Sequence, residues 1–272
     1  MAIVKTKKDR KLLLQWTAAL GAVLAVMVWI VTLLRPLKPE PATQAPTETT
    51  CPPRPTTSGE EFVYDDFGFL SCTTRPSIPG IDVSHHQGTI DWAQVADAGV
   101  EFAFIRLGYR GYRDGALHED EQVRQNLAGA RDAGLKIGAY FFSQAVSVEE
   151  AAEEAAFALE ILGNTRLDLP LVYDWEYVSD SARTARVSSE TLMSCVETFC
   201  NAVAQADIEP MIYFNQDLAR TKLDLNALNH PFWLAKYADD LNYAHQVRCW
   251  QYTDRGQIPG ITEKVDLDLY FP

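Results

Sequence analysis

The sequence predicts an α/β chain built on a modified TIM barrel, five βα units followed by three strands with irregular connections. Three observations lead there. Downstream of Gly80, short apolar runs alternate with amphipathic ones, the rhythm of βαβ units rather than of a sandwich. The apolar runs number eight, the count that closes a barrel. After the fifth run the gaps shorten and lose their helical period, so the last three strands are expected to lack helices.

Strands are expected at 80–84 (GIDVS), 101–107 (EFAFIRL), 136–142 (KIGAYFF), 169–177 (LPLVYDWEY), 209–215 (EPMIYFN), 231–238 (PFWLAKYA), 247–253 (VRCWQYT) and 265–271 (VDLDLYF). Each is rich in β-branched or aromatic residues. Helices fill the early gaps at 90–98, 119–133, 148–162 and 189–206. Gly134 and Gly163 supply stops for two of them, and Ser188 or Ser189 can cap the start of the last.

Ahead of the barrel the chain changes character three times. Residues 1–11 carry Lys5, Lys7, Lys8, Arg10 and Lys11 against one acid, and residues 12–34 then run 23 residues without a charge. At a rise of about 1.5 Å per residue such a helix reaches roughly 34 Å, enough to cross a bilayer. A cleaved signal peptide would have a shorter apolar region ending in small residues, whereas this run leads into Arg35-Pro36-Leu37-Lys38. A retained single-pass transmembrane anchor is therefore expected. The basic flank before the span outweighs the one after it, which places the N-terminus in the cytoplasm and the rest of the chain outside the cell membrane. Residues 35–59, dominated by Pro, Thr and Glu, read as an extended stalk. Residues 60–79 regain aromatics and are expected to pack on the barrel domain, 80–272, as a lead-in.

The net charge of −13 understates the acidity of the part beyond the span. Residues 1–38 hold seven basic groups and one acid, leaving −19 on residues 39–272. A domain of that charge is not a nucleic-acid binder. It is equally unsuited to capture an anionic polymer by charge, so its substrate should be recognised through neutral groups. Five cysteines, Cys51, Cys72, Cys195, Cys200 and Cys249, show no zinc spacing. Cys195 and Cys200 lie five apart on one expected helix and so cannot easily bridge each other, while Cys51 and Cys72 are candidates to pair across the stalk boundary.

The stretch Leu169 to Tyr177 carries the chemistry. Asp174 and Glu176 stand at i and i+2 on an expected strand, which turns both side chains to one face. Two carboxyl groups on one wall can divide labour, one held protonated as an acid and the other charged. That is glycosidase chemistry. Trp175, lying between them, should face outward into the helix layer. Barrel enzymes place their chemistry at the C-terminal strand ends, and Asp82, Asp174, Glu176 and Asp266 all fall on or near such ends in the expected layout. Tyr140, Tyr213, Trp233 and Tyr237 lie near the same end and are candidates to stack on sugar or bond to its substituents. His85-His86 invites a metal reading, but neighbours at a strand end point opposite ways, so neither a metal site nor a cofactor is expected.

GIDVSHHQGTIDW, YDWEY, WLAKYA, WQYTDRGQIPGI and the terminal VDLDLYF, in this order over residues 78–272, together resemble glycoside hydrolase family 25, the lysozymes that act as N-acetylmuramidases. The resemblance implies a (β/α)5β3 barrel and hydrolysis of the β-1,4 bond between N-acetylmuramic acid and N-acetylglucosamine in peptidoglycan. By position, Glu176 matches the general acid, Asp174 its partner, Asp82 the first-strand aspartate and Asp266 the last-strand one; Asp268, two residues on with the same facing, competes for that role. His86-Gln87-Gly88 matches a loop-shaping triplet.

Crowding by neighbouring acids is expected to keep Glu176 protonated. Asp174 is badly placed to attack the opposite face of the sugar, so the 2-acetamido oxygen of the substrate is the expected nucleophile, with Asp174 orienting it and configuration retained. Inversion by an acid-activated water stays open. The partners expected are peptidoglycan glycan strands and, through the span, the membrane, with the chain acting as a monomer in cell-wall remodelling. Two other readings compete: a chitinase-like glycosidase on acetamido sugars, and a non-catalytic surface glycan-binding module.

Overall fold

The computed structural model describes residues 61–65 and 68–272. The expected basic tail, membrane span and stalk lie outside the described residues, as do Cys51 and three residues of the lead-in. Among the described residues no helix is long and apolar enough to cross a membrane.

Among the described residues there are eleven strands: β1 (Phe62–Tyr64), β2 (Leu70–Cys72), β3 (Ile78–Val83), β4 (Phe102–Arg110), β5 (Leu117–Glu119), β6 (Lys136–Ser143), β7 (Leu171–Trp175), β8 (Pro210–Asn215), β9 (Phe232–Ala235), β10 (Cys249–Gly256) and β11 (Val265–Tyr270). Eight of them close a barrel in the order β3-β4-β6-β7-β8-β9-β10-β11, with β11 returning to β3. The neighbours from β3 round to β10 are parallel, whereas β11 is antiparallel to both β10 and β3. Only residues 257–264 separate β10 from β11, too few for the crossover a parallel strand would need.

Five helices follow the first five barrel strands: α1 (Trp92–Asp97), α2 (Val123–Asp132), α3 (Val148–Leu162), α4 (Ser189–Gln205) and the short α5 (Gln216–Thr221). Their starts are chemically marked. The side chains of Asp91, Ser147, Ser188 and Asn215 accept backbone N–H groups in the first turns of α1, α3, α4 and α5, satisfying donors that the helix itself cannot. The second helix starts at Val123 rather than at the expected 119. Residues 117–119 instead pair with β4 as β5, Gly108 opposite Glu119, so the ladder claims them first.

Period-two alternation divides the core into two clusters. Phe102, Phe104, Tyr140, Val172, Met211 and Trp233 point into the barrel, while Ala103, Ile105, Phe141, Tyr173 and Trp175 face the helix layer. Phe104 stacks on Trp233 with ring centres 4.7 Å apart. Room for the two phenylalanines comes from glycines on adjacent strands: a Cβ at Gly80 or Gly138 would come within 2.2 Å of the ring of Phe102 or Phe104, respectively. Cys195 and Cys200 are buried free thiols, as their spacing on α4 implied.

No helix follows β9 or β10, so the outer face of β10 needs another cover. The β1–β2 hairpin supplies it. Phe62 meets Trp250 edge-on at 5.0 Å, Tyr64 meets Tyr252, and the Leu70 amide donates to the Tyr252 hydroxyl at 3.2 Å. Arg75 lies over the ring of Phe271, 3.3 Å from its centre. Leu70, 1% exposed, belongs to the outer core. Leu70→Ala is therefore expected to cost about 2–4 kcal/mol of unfolding free energy, measured by denaturant titration; a loss below about 0.5 kcal/mol, typical of surface sites, would mean the hairpin does not contribute to the core.

Candidate active site

The barrel mouth opens into a cleft of about 530 Å³ that receives Asp82 from β3, Asp174 from β7, Glu176 one residue beyond β7, and Asp266 from β11. A larger open recess of about 700 Å³ lies beside α1, but its one acid, Asp91, caps that helix. The acids single out the barrel mouth. Asp266 corrects the expectation that all four carboxyls sit at C-terminal strand ends. It is the second residue of β11 and reaches the mouth because that strand runs backwards, placing Asp266 directly opposite Asp82. Asp268, one inward step further, is fully enclosed and lies opposite Gly80.

Confinement of these carboxyls makes ionisation costly. Burial holds Asp174 well above the ordinary carboxylate range, reinforced by Glu176 and Asp82 and opposed by Arg106. Glu176, half-buried, is also raised by burial, and its repulsion with Asp174 is felt most by Asp174. Asp82 is raised well above its ordinary value, first by burial and then by Asp268. Asp266 is pushed up to about 8 by burial, then by Asp82, Asp254 and Glu176. One oxygen of Asp174, Oδ1, is buried without a hydrogen-bond donor from the protein.

The position of Glu176 is fixed through its backbone. Gln144, fully buried, donates Nε2 to the Glu176 carbonyl at 2.8 Å and accepts the Thr184 hydroxyl at 2.8 Å. Gln144 is held in turn: its carbonyl accepts from Arg183 at 2.8 Å, and its backbone N–H donates to Glu154 Oε1 at 3.3 Å. Glu154, buried and raised to about 7 by that burial, also accepts from Ser143 at 2.6 Å and Arg110 at 2.8 Å.

The aromatic candidates take different places. Tyr213 and Tyr237 donate their hydroxyls to Gln251 Oε1 at 3.2 and 3.1 Å. Tyr237, 56% exposed, forms the rim, whereas Tyr140 and Tyr213 are almost covered. Trp233, 1% exposed, is floor: its indole donates to Asp268 at 2.8 Å. Trp175 faces the helix layer as expected and donates to the Ala145 carbonyl. A further hollow of about 340 Å³ shares Glu176, Tyr213 and Tyr237 with the cleft and extends toward Asp217 and Lys236, so Glu176 stands between two recesses.

Arg106 and Gln251, which line the cleft, escaped the sequence reading. Arg106 shares the inward face of β4 with Phe102 and Phe104, a period-two signal that could have found it, and Gln251 alternates inward between Trp250 and Tyr252 in the same way. His85 and His86 do not point opposite ways. They belong to a 3₁₀ turn capped by Ser84, with ring centres 4.1 Å apart. Arg106, which can only donate, bonds to His85 Nδ1 at 2.5 Å and to Asp120 at 2.8 Å. Gln87 ties this turn to the approach to β11, donating to the Lys264 carbonyl at 3.1 Å.

A closed barrel with paired, hard-to-ionise carboxyls at its mouth defines a glycoside hydrolase. The chain belongs to glycosyl hydrolase family 25, whose family model matches residues 81–261. It is 32% identical over 203 residues to the uncharacterized protein YegX of Escherichia coli K12, covering 71% of this chain and 70% of that one. It is 28% identical over 203 residues to Lysozyme M1 of Streptomyces globisporus, covering 71% and 67%. Among solved structures, the modular autolysin LytC of Streptococcus pneumoniae aligns with a TM-score of 0.66 at 26% identity, over 77% of this chain and 52% of LytC. This chain thus spans about half of that protein. The lysozyme of Streptomyces coelicolor aligns with a TM-score of 0.61 at 26% identity, over 73% and 93%.

The Asp266 carboxyl ties stability to pH. Its folded value lies above its unfolded one, so the native state binds more protons and loses stability as pH rises from the ordinary carboxylate range toward about 8. Asp266→Asn cannot ionise. It is expected to flatten this slope, being more stable than the parent at alkaline pH and little different in acid, as read from unfolding midpoints across pH.

Proposed function

We propose that this chain is a membrane-tethered peptidoglycan muramidase, cleaving between N-acetylmuramic acid and N-acetylglucosamine with retention and with help from the substrate acetamido group. The observation that carries this reading is the undonated Oδ1 of buried Asp174 beside Glu176. A substrate acetamido N–H supplies the missing donor. That bond favours the charged form of Asp174, while Glu176, the longer side chain between the two recesses, keeps its proton. Glu176 then gives its proton to the departing glycosidic oxygen while the acetamido oxygen attacks the anomeric carbon. Asp174 stabilises the positive charge on the resulting ring, and water opens it with Glu176 as base.

The names of relatives agree with a wall substrate. LytC has been solved in complex with a synthetic peptidoglycan ligand, and the Clostridium acetobutylicum relative, 26% identical over 192 residues, is an autolytic lysozyme. Recesses on both sides of Glu176 suit a polymer threaded across the acid. In this reading Tyr140, Tyr213 and Tyr237 contact the sugars, with Trp233 as the floor beneath them, and Asp82 and Asp266 shape the local field. The charge-free 23-residue run and its basic flank support a chain held at the outer face of the cell membrane and suited to remodelling nearby wall.

Glu176→Gln is expected to abolish release of new reducing ends from purified peptidoglycan without altering the fold; residual turnover above about a tenth of the parent rate, worth only ~1.4 kcal/mol of barrier, would move the acid elsewhere. Glycan whose muramic acid lacks its N-acetyl group should bind and scarcely react, and proton NMR of the first-formed anomer should show β product. Initial α product would reassign Asp174 as base for a water. Full-length chain should stay in the membrane fraction after alkaline wash, and release in shortened form would show that the span is cleaved.

A further inference from the structure

The loop that follows Glu176 is held at both ends by one carboxamide. Gln144 donates Nε2 to the Glu176 carbonyl at 2.8 Å and to the Ser143 carbonyl at 2.9 Å, and its Oε1 accepts the Thr184 hydroxyl at 2.8 Å. Residues 177–183 are thus closed into a loop across a single planar group. The orientation of that group follows from its partners. Carbonyls only accept, so the amide nitrogen must face the two of them, and the amide oxygen is left to the hydroxyl, which here serves as donor. Among the described residues no other donor reaches Gln144 Oε1. Gln144 is fully enclosed and Thr184 is 1% exposed. Thr184 is itself braced. The neighbouring Arg183 donates its backbone N–H to the Tyr112 carbonyl at 3.0 Å, and its guanidinium donates to the Gln144 carbonyl at 2.8 Å and to the two Glu150 oxygens at 2.7 and 2.5 Å. The Val187 N–H closes a turn on the Thr184 carbonyl at 3.0 Å. The hydroxyl therefore reaches Gln144 from a fixed segment, and Thr184 is not among the residues that line the cleft.

We propose that Thr184 is a positioning residue for the proton donor: its hydroxyl fixes the Gln144 amide, and the amide fixes where Glu176 leaves the barrel. Without that hydroxyl, Oε1 becomes a buried acceptor with no donor, an unfavourable state. The amide relieves it by turning, and in turning it slackens the bond to the Glu176 carbonyl. That carbonyl is joined directly to the Cα that carries the acid, so its displacement moves the carboxyl. Proton transfer from a misplaced acid slows even when substrate still binds. The loss should fall on kcat and spare KM, because Thr184 takes no part in the cleft wall. The catalytic part of this inference rests on the assignment of Glu176 as acid above, whereas the coupling of Thr184 to Glu176 does not.

The test compares Thr184→Val, which keeps the shape and removes the hydroxyl, with Thr184→Ser, which keeps the hydroxyl, both in the full chain. On soluble peptidoglycan fragments, Thr184→Val is expected to lower kcat at least about tenfold with KM within about twofold of the parent, and Thr184→Ser to stay within about threefold in kcat. Geometry is read separately. Glu-Tyr occurs once in the chain, at residues 176 and 177, so carbonyl-carbon-labelled glutamate combined with nitrogen-labelled tyrosine isolates a single NMR cross-peak, that of the Glu176 carbonyl. Loss of its hydrogen bond should move that carbon upfield in Thr184→Val and leave it in place in Thr184→Ser. Parental kcat or an unmoved carbonyl in Thr184→Val, or equal impairment of Thr184→Ser, overturns the proposal. A merely structural role would lower the unfolding midpoint without changing kcat per folded molecule. Should Thr184→Val not fold, Thr184→Cys, whose thiol is a weak donor, is read in the same two ways. Activity retained by Glu176→Gln would instead remove the acid assignment and with it the expectation for kcat, and the carbonyl shift would still decide whether Thr184 places residue 176.

Discussion

The antiparallel return of β11 against β3 is the constraint on which the site depends. It closes the barrel with the short connection the chain has available, and it brings a second acidic strand to the mouth beside Asp82. Had β11 run parallel, Asp266 would lie at the opposite end of the barrel from Glu176. Because it returns, four carboxyls line one cleft, and burial there raises the pKa of each. Carboxyls that ionise reluctantly are what acid-assisted bond cleavage needs.

The same economy of helices shapes the outside. Five helices cover the parallel strands up to β8, but β9 to β11 have none of their own, and an uncovered barrel wall would expose Trp250 and Tyr252. The lead-in hairpin fills that position with Phe62, Tyr64 and Leu70. It lies outside the residues matched to the family, 81–261.

Strand positions were legible because each barrel strand carries a short β-branched or aromatic run bounded by polar turns, and helices α3 and α4 were legible through a Gly163 stop and a Ser188 cap. The direction of β11 was not, since alternation along VDLDLYF is the same read either way; only the length of the gap before it encodes the reversal. The acid pair was visible because i, i+2 spacing survives folding unchanged. Arg106 and Gln251 were passed over because each is a single polar residue in an apolar run, and its partners, Asp120 for one and Asp82 for the other, are distant in sequence. The lead-in hairpin could not be derived from its own residues, for its strands are three residues long and are stabilised by β10.

Gln144 grips Glu176 by the main-chain carbonyl and leaves the glutamate side chain unencumbered. Anchorage of this kind separates the address of the acid from the identity of the loop that follows it. Residues 177–181, which include the exposed Tyr177 and Val178, can diverge in sequence while the proton donor stays in register with the barrel. Within a lineage of such enzymes, tolerance for wall modifications is then free to drift at the rim without re-evolution of the chemistry beneath it.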